Sequence, residues 1–336
     1  MKEQFLANRA AAPIKHNEGT MNDWVIGVDL GRTKIAIGLI DLQNRIVARS
    51  RLATQSEDGP SAVIERIAQS VAELSTQLPD GATIAALGIC SPGPVDHIAG
   101  LILEPHEMEG LHNSPLRDLL SIRLGIPVSI DHDAKSAALG EYHYGAGQGN
   151  RAMVYIVIGT GVGAAIVVDG EVFRGVHNLA GEVGHITINR DGALCACGSR
   201  GCVETYMSGP WLARRYAHRR LRADSTYASD QAATGEQITR MAQQGEPLAI
   251  QVLEEAGSAL GVAIASMAMI MDIDRYVIGG SVAKAGELLL APARRSMVDY
   301  SFRSISSHIQ VVASSMSDDA PILGCGWQAR AALRSL

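Results

Sequence analysis

The side chains richest in chemistry lie in one stretch, AGEVGHITINRDGALCACGSRGCVETY, which places His185, Cys195, Cys197 and Cys202 within eighteen residues. Three thiols and one imidazole match the tetrahedral preference of Zn²⁺ and leave no coordination position open, so such an ion shapes a loop rather than performing chemistry. Three of the five cysteines of the chain fall within eight residues. Cys-x-Cys is too short a spacing for an easy disulfide, and Gly198 and Gly201 supply the tight turns of a metal knuckle. Two carboxylates, Glu182 and Glu204, flank the knuckle. A metal that fixes the loop fixes them as well, as candidates to bind a polyhydroxylated substrate.

Three glycine turns offer a second chemistry. Asp29-Leu30-Gly31-Arg32-Thr33-Lys34 presents backbone N–H groups and a hydroxyl to a phosphate, with Asp29 placed to hold hydrated Mg²⁺. Gly159-Thr160-Gly161-Val162-Gly163 offers the same donors without the acid, and Gly279-Gly280-Ser281 stands at an expected strand-to-helix junction. Each turn alone is weak, and there is no Walker A motif. Asp133 ends an expected strand and begins a helix; its local role is an N-cap, and its functional role is a general base.

The elements that position these groups follow from pattern. WVIGVDL (24–30), KIAIGLID (34–41) and RIVARSRLAT (45–54) predict a β-meander, and apolar residues at 63, 64, 67, 71 and 74 predict a helix over 60–76. Strands are expected at 84–90, before the rigid turn SPGPVD, and at 127–131. MVYIVIGTGVGAAIVVD (153–169) then repeats the order of VIGVDLGRTKIAIGLID: strand, turn glycine, strand, Asp. The repeat predicts two similarly built domains. A helix over 247–271, a strand from 275 and an amphipathic C-terminal helix complete the reading.

The chain has 336 residues, enough for about two domains. Aromatic residues are 4% and the net charge is −6, which excludes a stacking surface and a basic footprint for nucleic acid. The arginines at 214, 215, 219, 220 and 222 read as the polar face of a helix. No apolar stretch is expected to be long enough for a membrane span, and the N-terminus has no secretory apolar region. Thiols kept for metal imply a reducing, cytoplasmic compartment, and Cys90 and Cys325 read as core residues.

From residue 24 onward the chain resembles the ROK sugar kinases, within the actin-like, ribonuclease-H-like ATPases. The resemblance is carried by IGTGVGAAIVVDGEVFRGVHNLAGEVGH and CACGSRGCVE, and also by DLGRTK, SPGPVD, DHDAKSAALGE and VIGGSV. It implies an α/β, two-domain actin-like fold with an interdomain cleft and ATP-dependent phosphorylation of a monosaccharide, usually at the 6-hydroxyl. It places Asp133 on the catalytic base. Gly93, His132, Glu182, His185 and Glu204 fall on sugar-side positions, and Asp29, Gly31, Thr33, Lys34, Thr160, Gly161, Gly279 and Gly280 on nucleotide-side ones. His185 then serves twice, with one ring nitrogen on zinc and the other toward a sugar hydroxyl. The cofactors implied are a structural zinc and Mg²⁺ with ATP, and the assembly a homodimer or homotetramer.

Two departures concern the sugar. His132 and His106 stand where the resembled family usually has Asn, so an amino sugar, an N-acyl hexosamine or a carbocyclic polyol is an alternative acceptor to glucose. Arg32 replaces a common glycine, which requires a backbone conformation that a non-glycine residue tolerates. A sugar-responsive regulator is a further alternative; such proteins carry a winged-helix domain ahead of the sugar domain, and about twenty-two residues precede the first strand here. A third is an actin-fold ATPase that moves no sugar. The expected division is a flexible tail over 1–22, a small domain of 23–134 plus 322–336, and a large domain of 135–321 with the knuckle.

Overall fold

The computed structural model describes residues 23–105, 108–223 and 233–334; the tail expected over 1–22 and His106 lie outside the described residues. The chain opens with the antiparallel meander β1 (Trp24–Leu30), β2 (Lys34–Ile40) and β3 (Ile46–Ala53). Asp41 closes the β2–β3 turn by accepting the amides of Gln43 and Arg45 at 2.9 and 2.8 Å. Helix α1 (Gly59–Ser75) has Pro60 in its first turn, where no donor is lost, and buries Val63, Ile64, Ile67, Val71 and Leu74 as its spacing predicts. Then follow β4 (Ile84–Ser91), the short hairpin β5 (Val95–Asp96) and β6 (Leu101–Ile102), α2 (Leu116–Leu124) and β7 (Val128–His132). Strands β4 and β7 join β1 in parallel, giving the order β3-β2-β1-β4-β7.

After α3 (Asp133–Tyr144) the pattern repeats with β8 (Ala152–Ile158), β9 (Val162–Val168) and β10 (Glu171–Val172). Helices α4 (Glu204–Met207), α5 (Gly209–Ala223), α6 (Gly235–Gln243) and α7 (Pro247–Met271) precede β11 (Arg275–Gly279). Helices α8 (Glu287–Asp299) and α9 (Arg303–Ser306), β12 (Gln310–Ala313) and α10 (Ala320–Leu333) finish the chain. The second sheet runs β10-β9-β8-β11-β12, with β8, β11 and β12 parallel. Both sheets therefore share one topology, so the sequence repeat extends beyond a single hairpin. Each sheet has its own apolar core: Ile26, Ile37, Ile67 and Leu87 in the first, Ile156, Leu253, Leu260 and Ile278 in the second.

Helices α3 and α10 cross at glycine contacts. A Cβ on Gly324 would meet the Ser136 carbonyl oxygen at 1.7 Å, and one on Gly140 would meet that of Ala320 at 2.0 Å. Two expectations need correction here. Helix α10 is not amphipathic: Ile322, Leu323, Cys325, Ala329 and Arg330 are buried around its circumference, because α3 covers one side and β1 and β4 another. Helix α7 is long and apolar enough to cross a membrane, with a window of mean hydropathy 1.4, but 61% of that window is buried within the protein, as in a core helix. The arginine face of α5 is partly used: Arg215 and Arg219 both pair with Glu255 of α7, and Arg214 lies 4.8 Å above the Trp211 ring.

Candidate active site and metal centre

Strand β7 delivers its last residue, His132, as the N-cap of α3, where Nδ1 accepts the Ala134 amide at 3.2 Å. Asp133, the first helical residue, shares that amide: its Oδ1 also accepts from Ala134, at 2.5 Å, so both side chains face the first free N–H of the helix. Asp133 Oδ1 lies 3.0 Å from His132 Nδ1. Burial opposes protonation of His132, but Asp133 outweighs it: once protonated, Nδ1 donates to the carboxylate in place of accepting the Ala134 amide, and that hydrogen bond and charge raise the imidazole above its ordinary value. The His132 ring rests on Gly93: a Cβ there would sit 2.5 Å from Cδ2. Gly93 thus makes room for a ring larger than Asn.

Asp133 also lines a cavity of about 340 Å³ between the sheets, together with Asp29, Lys34, Gly279 and Gly280. Burial, then the neighbouring Asp133 carboxylate, pushes Asp29 up to about 6. Gly280 has φ +91°, and a Cβ on it would strike the Ile158 carbonyl oxygen at 2.3 Å, so the third glycine turn packs against the end of β8. That turn leads into a four-residue 3₁₀ segment, Val282–Ala285, rather than the expected α-helix, so it lacks the N-terminal dipole of a full helix. Gly31, Thr33, Thr160 and Gly161 lie outside the cavity lining. Arg32 has no left-handed backbone, as its side chain requires. Five polar lining residues had no signal in the sequence: Tyr155, Lys284, Ser314, Ser317 and Asp318.

The donor atoms of His185, Cys195, Cys197 and Cys202 lie within 4.8 Å of one another. Cys195 Sγ is 3.7 Å from His185 Nδ1, and Cys197 Sγ is 3.6 Å from Cys202 Sγ. Zinc bond lengths set tetrahedral edges of about 3.8 Å between sulfurs and about 3.6 Å between sulfur and nitrogen. The cluster fits that ion, and ligation through Nδ1 leaves Nε2 of the exposed His185 free to face a ligand. Glu204 ties the knuckle to the second glycine turn: Oε2 accepts the Val162 amide at 3.0 Å while Oε1 lies 4.0 Å from Cys195 Sγ. Gly161 is bare beside this carboxylate, since a Cβ would approach Oε2 to 3.0 Å. Glu182 is exposed at the head of the Val183–His185 turn.

Beneath the His132–Asp133 pair runs a buried ionic network that sequence reasoning missed. Asp131, 1% exposed, is gripped by Arg174 at 2.6 and 3.1 Å and by Gln328 at 2.6 Å. Arg174 and Lys135 both donate to Asn178 Oδ1, at 3.1 and 2.8 Å, and Asn178 donates to the Val95 carbonyl at 3.2 Å. The loop after β10 is thereby pinned to the SPGPVD turn. Burial, above all, holds the Lys135 ammonium below its ordinary value. These residues come from four separate segments, so no local spacing reveals them.

The ROK family model matches residues 25–332. The glucokinase of Thermotoga maritima is 34% identical over 89% of this chain and 95% of its own length. The N-acetylmannosamine kinase of Citrobacter koseri is 32% identical over 89% of this chain and 96% of its own length. Among solved structures, a ROK glucokinase from Streptomyces griseus in complex with glucose and AMPPNP superposes with a TM-score of 0.76 at 34% identity, covering 92% of this chain and 99% of that one. The fold is the two-domain actin-like ATPase fold of these kinases. With the family model spanning nearly all of the described residues and full-length relatives above 30% identity, the chain belongs to the ROK family.

Proposed function

We propose that the protein is a sugar kinase that transfers the γ-phosphoryl group of ATP to the 6-hydroxyl of glucose or a close hexose. One observation carries this reading furthest: Asp133 lines the cavity with Asp29 and Lys34, and also touches His132, which rests on the Gly93 turn. A single carboxylate thus stands where a phosphoryl donor and a hydroxyl acceptor meet. Asp133 accepts the hydroxyl proton as the oxygen attacks phosphorus, and the remaining work is positioning and charge neutralisation. Asp29 holds the hydrated Mg²⁺ that accompanies ATP, which neutralises phosphate charge. Lys34, the amides around Gly31, Thr33, Thr160 and Gly161, and the Gly279–Gly280 turn hold the nucleotide.

On the acceptor side Gly93, His132, Glu182, His185 and Glu204 surround the sugar, each carboxylate accepting from adjacent hydroxyls. His185, Cys195, Cys197 and Cys202 hold a structural zinc, which supplies rigidity to the knuckle and fixes the His185 tautomer. In this reading residues 23–134 with 322–336 close on residues 135–321 and exclude water from the transfer. The same reading includes a homodimer or homotetramer and a cytoplasmic location.

A second acceptor class is favoured by one feature: the His132 ring over Gly93 fills space that an Asn would leave, and reshapes the sugar side toward an amino sugar, an N-acyl hexosamine or a cyclitol. The test is ADP release across hexoses, hexosamines, N-acyl hexosamines and cyclitols. Glucose or a close hexose is expected to give the highest kcat/KM. ADP release that no polyol accelerates would refute the kinase reading, and a preference for an N-acyl hexosamine or cyclitol would select the second class.

A further inference from the structure

Asp133 opens α3, and Glu141 lies about 12 Å further along the same helix at a rise of about 1.5 Å per residue. Its side chain is fully buried. Oε2 accepts the Ala146 amide at 2.8 Å and, more loosely, the amide and hydroxyl of Ser315 at 3.4 and 3.3 Å. Oε1 accepts the Met316 amide at 2.9 Å and the Ser314 hydroxyl. Gly145 leaves room for this carboxylate, since a Cβ there would come within 2.2 Å of Oε2. The donors are all neutral. Burial of the carboxylate is thus compensated by hydrogen bonds, most of them from the loop that follows β12.

That loop is a wall of the cavity: Ser314, Ser317 and Asp318 line it, while Glu141 itself lies outside the lining. Ser314 Oγ donates to Glu141 and also accepts the Ser317 amide at 3.0 Å. Ser317 is left-handed at φ +48°, a conformation that a non-glycine residue holds only with outside support. The grip of Glu141 therefore passes through Ser314 to the backbone of the lining residues. From the other side, Arg49 of β3 clasps Asp319 at 2.6 and 2.8 Å. Helix α3 carries Asp133 at its start and anchors a cavity wall near its end, so one rigid element sets the separation of the two. Phosphoryl transfer depends on that separation, because donor and acceptor must meet in line at short range.

We propose that Glu141 is a positioning residue for the nucleotide, holding the Ser314–Asp318 wall in register with Asp133. This role rests on the reading of the cavity as the nucleotide site. It is tested by steady-state kinetics of Glu141→Gln, which turns an amide N–H toward groups that are themselves donors. KM for ATP is expected to rise about 10-fold and KM for glucose to stay within about twofold. Equal rises in both, or a lower melting temperature with neither KM moved, would mark a merely structural group and overturn the role. Should Glu141→Gln not fold, Ser315→Ala decides, at an exposed position outside the cavity lining. A rise of about threefold in KM for ATP alone is expected there, and no change would overturn the role. Lys284→Ala, which removes a lining side chain, is measured alongside. If it raises KM for ATP and the Glu141 and Ser315 variants do not, the cavity holds nucleotide and the role of Glu141 alone fails. If none of the three raises it, the nucleotide reading itself fails and the role with it.

Discussion

Asp29→Asn should make the protein more stable while disabling it. The Asp29 carboxyl is raised from 3.8 to about 6, chiefly by burial and then by Asp133. A group whose folded value lies above its unfolded value lends full stability below the unfolded value and loses it as pH rises through the folded one. At about pH 7.5 the ionised Asp29 therefore costs the fold about 3 kcal/mol as an upper figure, from the shift at 1.36 kcal/mol per unit. Asn keeps the shape and leaves Cys90 an oxygen to face, since the thiol lies 3.7 Å from Oδ1. Urea unfolding should show a gain approaching about 3 kcal/mol at about pH 7.5, about 1.6 kcal/mol at about pH 5, and none below about pH 3.8. Turnover should be lost at every pH, because an amide cannot hold hydrated Mg²⁺ as a carboxylate does. A loss of stability at about pH 7.5, or a gain that does not vary with pH, would refute the reasoning.

Three further outcomes follow from other contacts. Asp133→Asn should lower kcat at least ~10²-fold with KM little changed, and near-normal turnover by steady-state kinetics would remove it from the role of base. Cys202→Ser should abolish zinc measured by elemental analysis, expected at one ion per chain in the parent, and raise KM for the acceptor about 10-fold or more; a metal-free parent of full activity would contradict this. Gly324→Ala should destabilise by about 1–3 kcal/mol, because its Cβ would lie 1.7 Å from the Ser136 carbonyl oxygen, and an unchanged melting temperature would refute the close crossing of α3 and α10.

What the sequence disclosed was local. The knuckle was legible because its ligands share one loop, and the strands around Gly31 and Gly161 because β alternation and a turn glycine leave a pattern within fifteen or so residues. The shared opening hairpin of the two sheets was legible in the repeat that begins at Val25 and Met153. Contacts made across distance were not legible. Arg174 reads as one arginine among many until the fold brings it to Asp131, 43 residues away. Tyr155 reads as a strand aromatic until Gly279 is placed beside its hydroxyl. Helix α10 was misjudged for the same reason: its second buried side is created by α3, and nothing in its own periodicity announces that partner. Glu204 was assigned to the sugar, and the fold adds its bond to the Val162 amide, which connects the metal knuckle to a phosphate-side turn.

Phosphorus NMR of the protein incubated with ATP and glucose examines the central claim most directly. The account predicts that the γ-phosphate resonance is replaced by a phosphomonoester coupled to the protons of carbon 6, in step with ADP formation. Release of inorganic phosphate alone, or an unchanged spectrum with every sugar tried, would contradict it.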